Sequence, residues 1–232
     1  MKQLTAQELG LYFDHVNKFG VSLEDYCAAG IRYGVRCCAV GMYAVAPVKA
    51  LLQGTGLLVS GAVAFPGGGS SIGAKLLDVR EVIDQGAQEM DYVVNLKKVK
   101  DHQWDYVEEE MTRIAQLCRE NGVADKVIFE CCQLTRDEKI RLCEIALRAR
   151  PAFIKTSTGT SFGGATPEDV RLMRSVVGGA CQIKAAGGIR SYYTALALIE
   201  AGADRLGCSS VAAVMEGYRA YLAAQDEALA VH

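Results

Sequence analysis

Lys155 and Lys184 each follow a short apolar run and precede small residues. The first lies in Phe153-Ile154-Lys155-Thr156-Ser157-Thr158-Gly159, the second in Ile183-Lys184-Ala185-Ala186-Gly187-Gly188-Ile189-Arg190. A lysine held among apolar residues costs free energy unless it is neutral or paired. A neutral amine attacks carbonyls and forms a Schiff base. A lone lysine at a strand end is ordinarily a solvated terminus. Two in matched settings, the second before a glycine turn, point to carbonyl chemistry on a phosphorylated substrate.

Alternating elements would hold these lysines. Short runs at Leu11–His15, Cys37–Val40, Leu57–Ala64, Asp91–Asn95, Lys126–Cys131, Phe153–Lys155, Gln182–Ala185 and Asp204–Gly207 read as strands. Stretches between them read as helices, among them Leu23–Tyr33, Ala74–Gln85, Asp105–Asn121, Lys139–Ala149 and Ser191–Ala201, with a last one from about Ser210 to Leu229. Ser22 with Asp25, and Thr135 with Glu138, have the spacing of helix N-caps. Thr166-Pro167-Glu168-Asp169 opens a helix with proline at its first position. Phe65-Pro66-Gly67-Gly68-Gly69 continues neither element type. Strand–helix alternation implies a parallel sheet. Eight such units imply an α/β fold, a single-domain (β/α)8 TIM barrel over residues 1–232. An open doubly wound sheet is the alternative.

Period-two alternation sorts strand residues by face. On the fourth strand Asp91, Val93 and Asn95 share a face; on the fifth, Lys126, Ile128 and Glu130 do. The opposite faces are apolar and suit packing against outer helices. Polar groups at the C-terminal ends of barrel strands read as active-site groups. The competing reading is an ion pair of Lys126 with Glu130 or Asp91 that only stabilises the barrel. Gly187-Gly188 follows the seventh strand, and Gly207-Cys208-Ser209-Ser210 follows the eighth and opens the last helix. Glycines admit close backbone approach, helix N-termini bind anions, and these two loops are the usual phosphate site of such a barrel.

Composition bounds the partners. A net charge of −2 with no run of like charge gives no footprint for nucleic acid. No apolar stretch reaches the length of a membrane span, and Met1–Gly10 lacks the apolar centre of a secretory signal. A soluble cytoplasmic protein is expected. The nine cysteines are an odd count and include no Cys-x-x-Cys; Cys37-Cys38 and Cys131-Cys132 are adjacent pairs. His15, His102 and His232 stand apart. We expect reduced core thiols, no metal and no cofactor.

The run from Phe153 to Gly159, with Gly163-Gly164-Ala165-Thr166-Pro167-Glu168-Asp169-Val170, closely resembles the signature of the deoxyribose-phosphate aldolase family. So do Lys184 to Arg190 and Ala201-Gly202-Ala203-Asp204-Arg205-Leu206-Gly207-Cys208-Ser209-Ser210. Weaker matches are Phe65-Pro66, Gly86-Ala87-Gln88-Glu89-Met90-Asp91 and Lys126-Val127-Ile128-Phe129-Glu130. The resemblance implies a metal-free class I aldolase that cleaves 2-deoxyribose 5-phosphate to glyceraldehyde 3-phosphate and acetaldehyde. It implies Lys155 as the Schiff-base lysine, Lys184 as the second lysine and Asp91 as the carboxylate of the proton relay. It places Gly159, Gly187, Gly188, Gly207, Ser209 and Ser210 near the phosphate. Asn95, on the face of Asp91, is a further candidate substrate contact. A homodimer or higher homo-oligomer is expected.

The first two units depart from the family pattern. Val16 stands where the family has threonine, and the following loop is about four residues shorter. Ala39-Val40-Gly41-Met42 replaces the common Cys-Val-Asn-Pro, and where some members have a C-terminal tyrosine that reaches the site, this chain ends in Val231-His232. Two alternatives stay open: a Schiff-base aldolase of another phosphorylated sugar, and a non-catalytic sugar-phosphate-binding barrel.

Overall fold

Each strand of this chain has two faces with opposite demands, and the structure separates them. The structure is a computed structural model that describes residues 4–230; His232 lies outside them. The strands are β1 (Phe13–Val16), β2 (Cys37–Gly41), β3 (Leu58–Val63), β4 (Glu89–Val93), β5 (Ala124–Ile128), β6 (Phe153–Lys155), β7 (Gln182–Ala186) and β8 (Arg205–Cys208). All neighbours pair in parallel, and β8 pairs back onto β1 to close the barrel.

Outward residues such as Val59, Tyr92, Val127, Ile154, Ile183 and Leu206 join one buried apolar layer with the helices. Burying each such side chain contributes about 1.5–3 kcal/mol. Ten helices surround the strands among the described residues: α1 (Ala6–Gly10), α2 (Leu23–Arg32), α3 (Val45–Leu51), α4 (Ile72–Asp84), α5 (Leu96–Lys100), α6 (Trp104–Glu120), α7 (Arg136–Ala149), α8 (Pro167–Val177), α9 (Tyr192–Glu200) and α10 (Val211–Ala230). Side-chain caps fix where several of them begin. Ser22 accepts from the Asp25 amide, and Thr135 and Glu138 form a reciprocal capping box. Thr166 caps α8, with Pro167 in its first turn. No described helix is long and apolar enough to cross a membrane.

Most strand limits differ from the sequence expectation by one to three residues, and two of these differences bear on the site. β4 runs from Glu89 to Val93, two residues earlier than expected. Asn95 leaves the sheet because its side chain caps α5, accepting from the Lys98 amide at 3.2 Å. β5 ends at Ile128, since Glu130 turns to φ +58° and starts a short 3-10 turn over Cys131–Gln133. The short helices α1, α3 and α5 were not anticipated.

A fully buried ion pair secures the end of β4. Lys75 of α4 donates to Glu110 of α6 and to the Val93 carbonyl, both at 2.7 Å. Glu110 also accepts from the Asn95 amide at 2.9 Å. Breaking a buried pair strands one charge and typically costs about 3–5 kcal/mol, whereas an apolar pair of similar volume is often tolerated. Lys75→Met is therefore expected to lose about that much stability in urea denaturation. Lys75→Met/Glu110→Leu should lose less than the single variant. A double variant weaker than the single one would contradict this account of the pair.

Candidate active site

The inner face of the barrel is polar, and every strand contributes to it. Asp14 comes from β1, Cys37 from β2, Ser60 from β3, Glu89 and Asp91 from β4, Lys126 from β5, Lys155 from β6, Lys184 from β7 and Arg205 from β8. The register brings them into contact. Asp91 lies opposite Lys126 across β4–β5, and Lys155 lies opposite Lys184 across β6–β7. Parallel pairing places these partners on the same face.

Asp91 is the hub. Its Oδ2 accepts from Lys155 at 2.5 Å and from Lys184 at 2.7 Å. Its Oδ1 accepts from Lys126 at 3.0 Å and from Ser60 at 3.1 Å. Below it, Asp14 faces Lys184 and Arg205, each at 2.6 Å. Glu89 faces Lys126 at 2.8 Å and Arg205 at 3.1 Å. Fully protonated, the four bases Lys126, Lys155, Lys184 and Arg205 would exceed the three carboxylates by one charge.

Proton affinities follow this arrangement. Burial opposes ionisation of Asp14 and Asp91, yet the surrounding lysines, with Arg205 beside Asp14, hold both carboxyls well below the usual range. Burial also opposes the charge on Lys126, but Asp91, Asp14 and Glu89 raise its ammonium well above the ordinary value. Lys155 goes the other way. Burial lowers it, Asp91 pulls it back, and Lys184 and Lys126 lower it again, to about 8. Roughly a tenth of Lys155 is thus neutral at pH 7, far more than of an ordinary lysine, and the neutral amine is the form that attacks a carbonyl.

Asp14, Cys37 and Glu89 also bring donor atoms within 4.8 Å of one another. Both carboxylates already face Arg205 and Lys126, and burial, Asp14 and Glu89 push the Cys37 thiol well up. That donor set is cation-compensated by the protein itself and is a poor fit to a metal. All nine cysteines are free, and eight of them are buried.

A cavity of about 800 Å³ opens at the C-terminal ends of the strands. Asp91 and Lys155 form part of its floor. Lys184 lies fully buried beneath and reaches the cavity through Asp91. Gly159, Gly187, Gly188, Gly207 and Ser209 line one side. Gly187 sits at φ +89°, and a Cβ on the adjacent Gly164 would collide with its carbonyl oxygen, so only glycine keeps these loops this close. Arg190 and Lys18 also line the cavity, and Lys18 donates to Ser210 Oγ at 3.3 Å. Ser210 therefore reaches the cavity through Lys18 and does not line it directly. Asn95 is not among the lining residues; its cap and the Glu110 contact occupy it. Glu130 accepts from the Thr158 amide and hydroxyl, tying the loop that carries Gly159. The opposite side is apolar, with Val16, Ala39, Ala62, Met42 and Phe65. His15 faces outward and stacks on Tyr26 at 4.7 Å.

Asp14, Glu89, Arg205 and Lys18 were not anticipated. For Glu89 the signal was present: extending the fourth strand back by two residues puts Glu89, Asp91 and Val93 on one face.

Residues 21–215 match the model of the DeoC/LacD family aldolases. The chain belongs to this family. A deoxyribose-phosphate aldolase of Thermococcus gammatolerans is 41% identical over 222 residues, covering 93% of this chain and 99% of the relative. One of Lactobacillus acidophilus is 40% identical over 210 residues, covering 89% of each. Among solved structures, QR15, an aldolase, superposes with a TM-score of 0.85 at 33% identity, covering 91% of this chain and 96% of that one. A tetrameric deoxyribose phosphate aldolase from Aeropyrum pernix gives 0.85 at 26% identity, covering 93% and 92%. The aldolase family and the amine–carboxylate floor agree on carbonyl chemistry.

The hub predicts an order of stability losses. Ser60→Ala removes a hydrogen bond to the Asp91 carboxylate and one from the Lys126 ammonium and should cost about 1.5–3 kcal/mol. Asp91→Asn strands buried cations and should cost about 3–5 kcal/mol near pH 7. That loss should shrink as pH rises. The stranded lysines can shed a proton in the fold that the unfolded chain retains to about 10.4, so stability climbs across that interval. Urea denaturation at pH 6 and pH 9 checks this; equal losses for the two variants would contradict the hub.

Proposed function

We propose that this chain is a deoxyribose-phosphate aldolase that cleaves 2-deoxyribose 5-phosphate to glyceraldehyde 3-phosphate and acetaldehyde through a Schiff base on Lys155. The observation that carries the reading is the Lys155 amine, bonded to Asp91 at the floor of the cavity, where burial and the neighbouring lysines lower its proton affinity. The neutral amine attacks C1 of the open-chain aldehyde. Asp91, with Lys184 behind it, delivers the proton with which the carbinolamine oxygen leaves as water, giving an iminium. The C2–C3 bond then breaks, its electron pair moving into the iminium to form an enamine. The C3 hydroxyl proton passes to the Asp91–Lys184 pair as glyceraldehyde 3-phosphate departs. Protonation of the enamine carbon and addition of water release acetaldehyde and return the amine.

Gly159, Gly187, Gly188, Gly207 and Ser209 line the phosphate side in this reading, with Lys18 and Arg190 as cations and Ser210 orienting Lys18. The apolar side of Val16, Ala39 and Ala62 supports a deoxy substrate. A hydroxyl desolvated there without a partner costs about 1–3 kcal/mol. The likeness to a chain described as tetrameric supports a homo-oligomer, and we place the enzyme in the cytoplasm.

Borohydride with 2-deoxyribose 5-phosphate should leave a reduced adduct that maps to Lys155, and Lys155→Met should abolish it. An adduct on Lys184 would overturn the assignment. Lys18→Met should raise KM for the phosphorylated sugar roughly tenfold, at the low end of charged hydrogen bonds. It should leave unphosphorylated 2-deoxyribose nearly unchanged. Equal effects on both sugars would remove Lys18 from the phosphate site.

A further inference from the structure

We infer that Arg205 and Glu89, on the barrel floor beneath the cavity, are positioning residues that decide how many protons the cluster above them holds. The inference rests on the reading of Lys155 as the nucleophile. Neither residue lines the cavity. Both are buried, and Arg205 stacks its guanidinium 5.2 Å from the Phe153 ring. Arg205 Nη1 donates to Asp14 at 2.6 Å and to Glu89 at 3.1 Å, while its Nη2 donates to Glu89 at 3.3 Å.

A guanidinium keeps its proton in any protein environment. Arg205 is therefore a fixed charge that neutralises part of Asp14 and Glu89 permanently. Whatever anionic charge remains is shared by three lysines, and their contacts are unequal. Lys126 faces three carboxylates, Asp14, Glu89 and Asp91. Lys184 faces two, Asp14 and Asp91. Lys155 faces Asp91 alone. When the interior must shed one positive charge, the least compensated amine gives up its proton, and that amine is the one exposed to the cavity.

Every strand packed around Lys155 enters this count. The groups are Asp14 on β1, Cys37 on β2, Glu89 and Asp91 on β4, Lys126 on β5, Lys184 on β7 and Arg205 on β8; β3 contributes only the neutral Ser60. Cys37 stays a thiol. Removing Arg205 equalises three carboxylates with three lysines, and Lys155 then holds its proton to higher pH. Removing Glu89 deepens the excess of cations, and Lys155 loses its proton at lower pH.

The test is the pH profile of kcat/KM, whose acid limb reports ionisation of the free enzyme. The same limb is followed independently by borohydride trapping. Arg205→Gln should move the limb up by about one pH unit, and Glu89→Gln should move it down by about as much, as expected for loss of one nearby charge. Arg205→Lys keeps the charge and should keep the wild-type limb. A purely structural role would lower stability or amplitude and leave the limb in place. If Arg205→Gln does not fold, Glu89→Gln and Arg205→Lys decide the question. Limbs that stay put, or move in the same direction for Arg205→Gln and Glu89→Gln, overturn the inference while the adduct still maps to Lys155. Absence of any adduct on wild-type Lys155 would reject the Schiff-base reading itself.

Discussion

Seven ionisable groups packed inside one barrel cannot keep their charges independently, because each ion taken out of water carries a desolvation cost of several kcal/mol. Three carboxylates, Asp14, Glu89 and Asp91, set how many cations the interior can hold. Four bases face them, so one carries a charge the interior cannot balance. The register of the strands decides which. Lys126 and Lys184 lie between carboxylates at two levels, while Lys155, near the top of its strand, meets only Asp91. The same geometry that disfavours its proton opens it to the cavity. The lowered proton affinity of Lys155 follows from its burial and from the neighbouring Lys184 and Lys126, against the pull of Asp91.

The remainder of the structure holds that cluster in register. The apolar layer between strands and helices fixes which residues of each strand point inward. The Lys75–Glu110 pair secures the end of β4 just past Asp91, and Glu130 secures the loop after β6 just past Lys155. Close-packed glycines bring the loops after β6 and β7 together along one side of the cavity. The barrel thus separates two tasks. In the proposed reading the strand ends carry the reactive amine, and the loops beyond them carry the surface that receives the rest of the substrate.

Much of this was legible in the chain. Lys155 and Lys184 declared themselves because both follow apolar runs too short for anything but strands, and Asp91 because alternation turned it inward. What was hidden depended on competing local signals. Glu89 follows Gly86, so it read as part of a turn and not as the start of β4. Asn95 continues the polar alternation of that strand, but asparagine caps helices well, and a helix begins directly after it. Arg205 follows Asp204 in the expected eighth strand, and alternation alone does not say which of these two adjacent charges turns inward. In the fold Asp204 turns outward to accept from the Ile183 amide at 2.7 Å, leaving Arg205 to turn in. The contact of Lys18 with Ser210 joins the first and last loops of the barrel, a closure no local pattern records.

The central claim is that burial and charge balance make one amine among the buried lysines give up its proton well before the others. Its most direct test is an NMR titration of the protein labelled at lysine Cε and Nζ, with each resonance assigned by substitution. The account predicts that Lys155 titrates at about 8 while Lys126 stays protonated above the ordinary lysine range. A Lys155 resonance that titrates together with the surface lysines, near about 10.4, would contradict it.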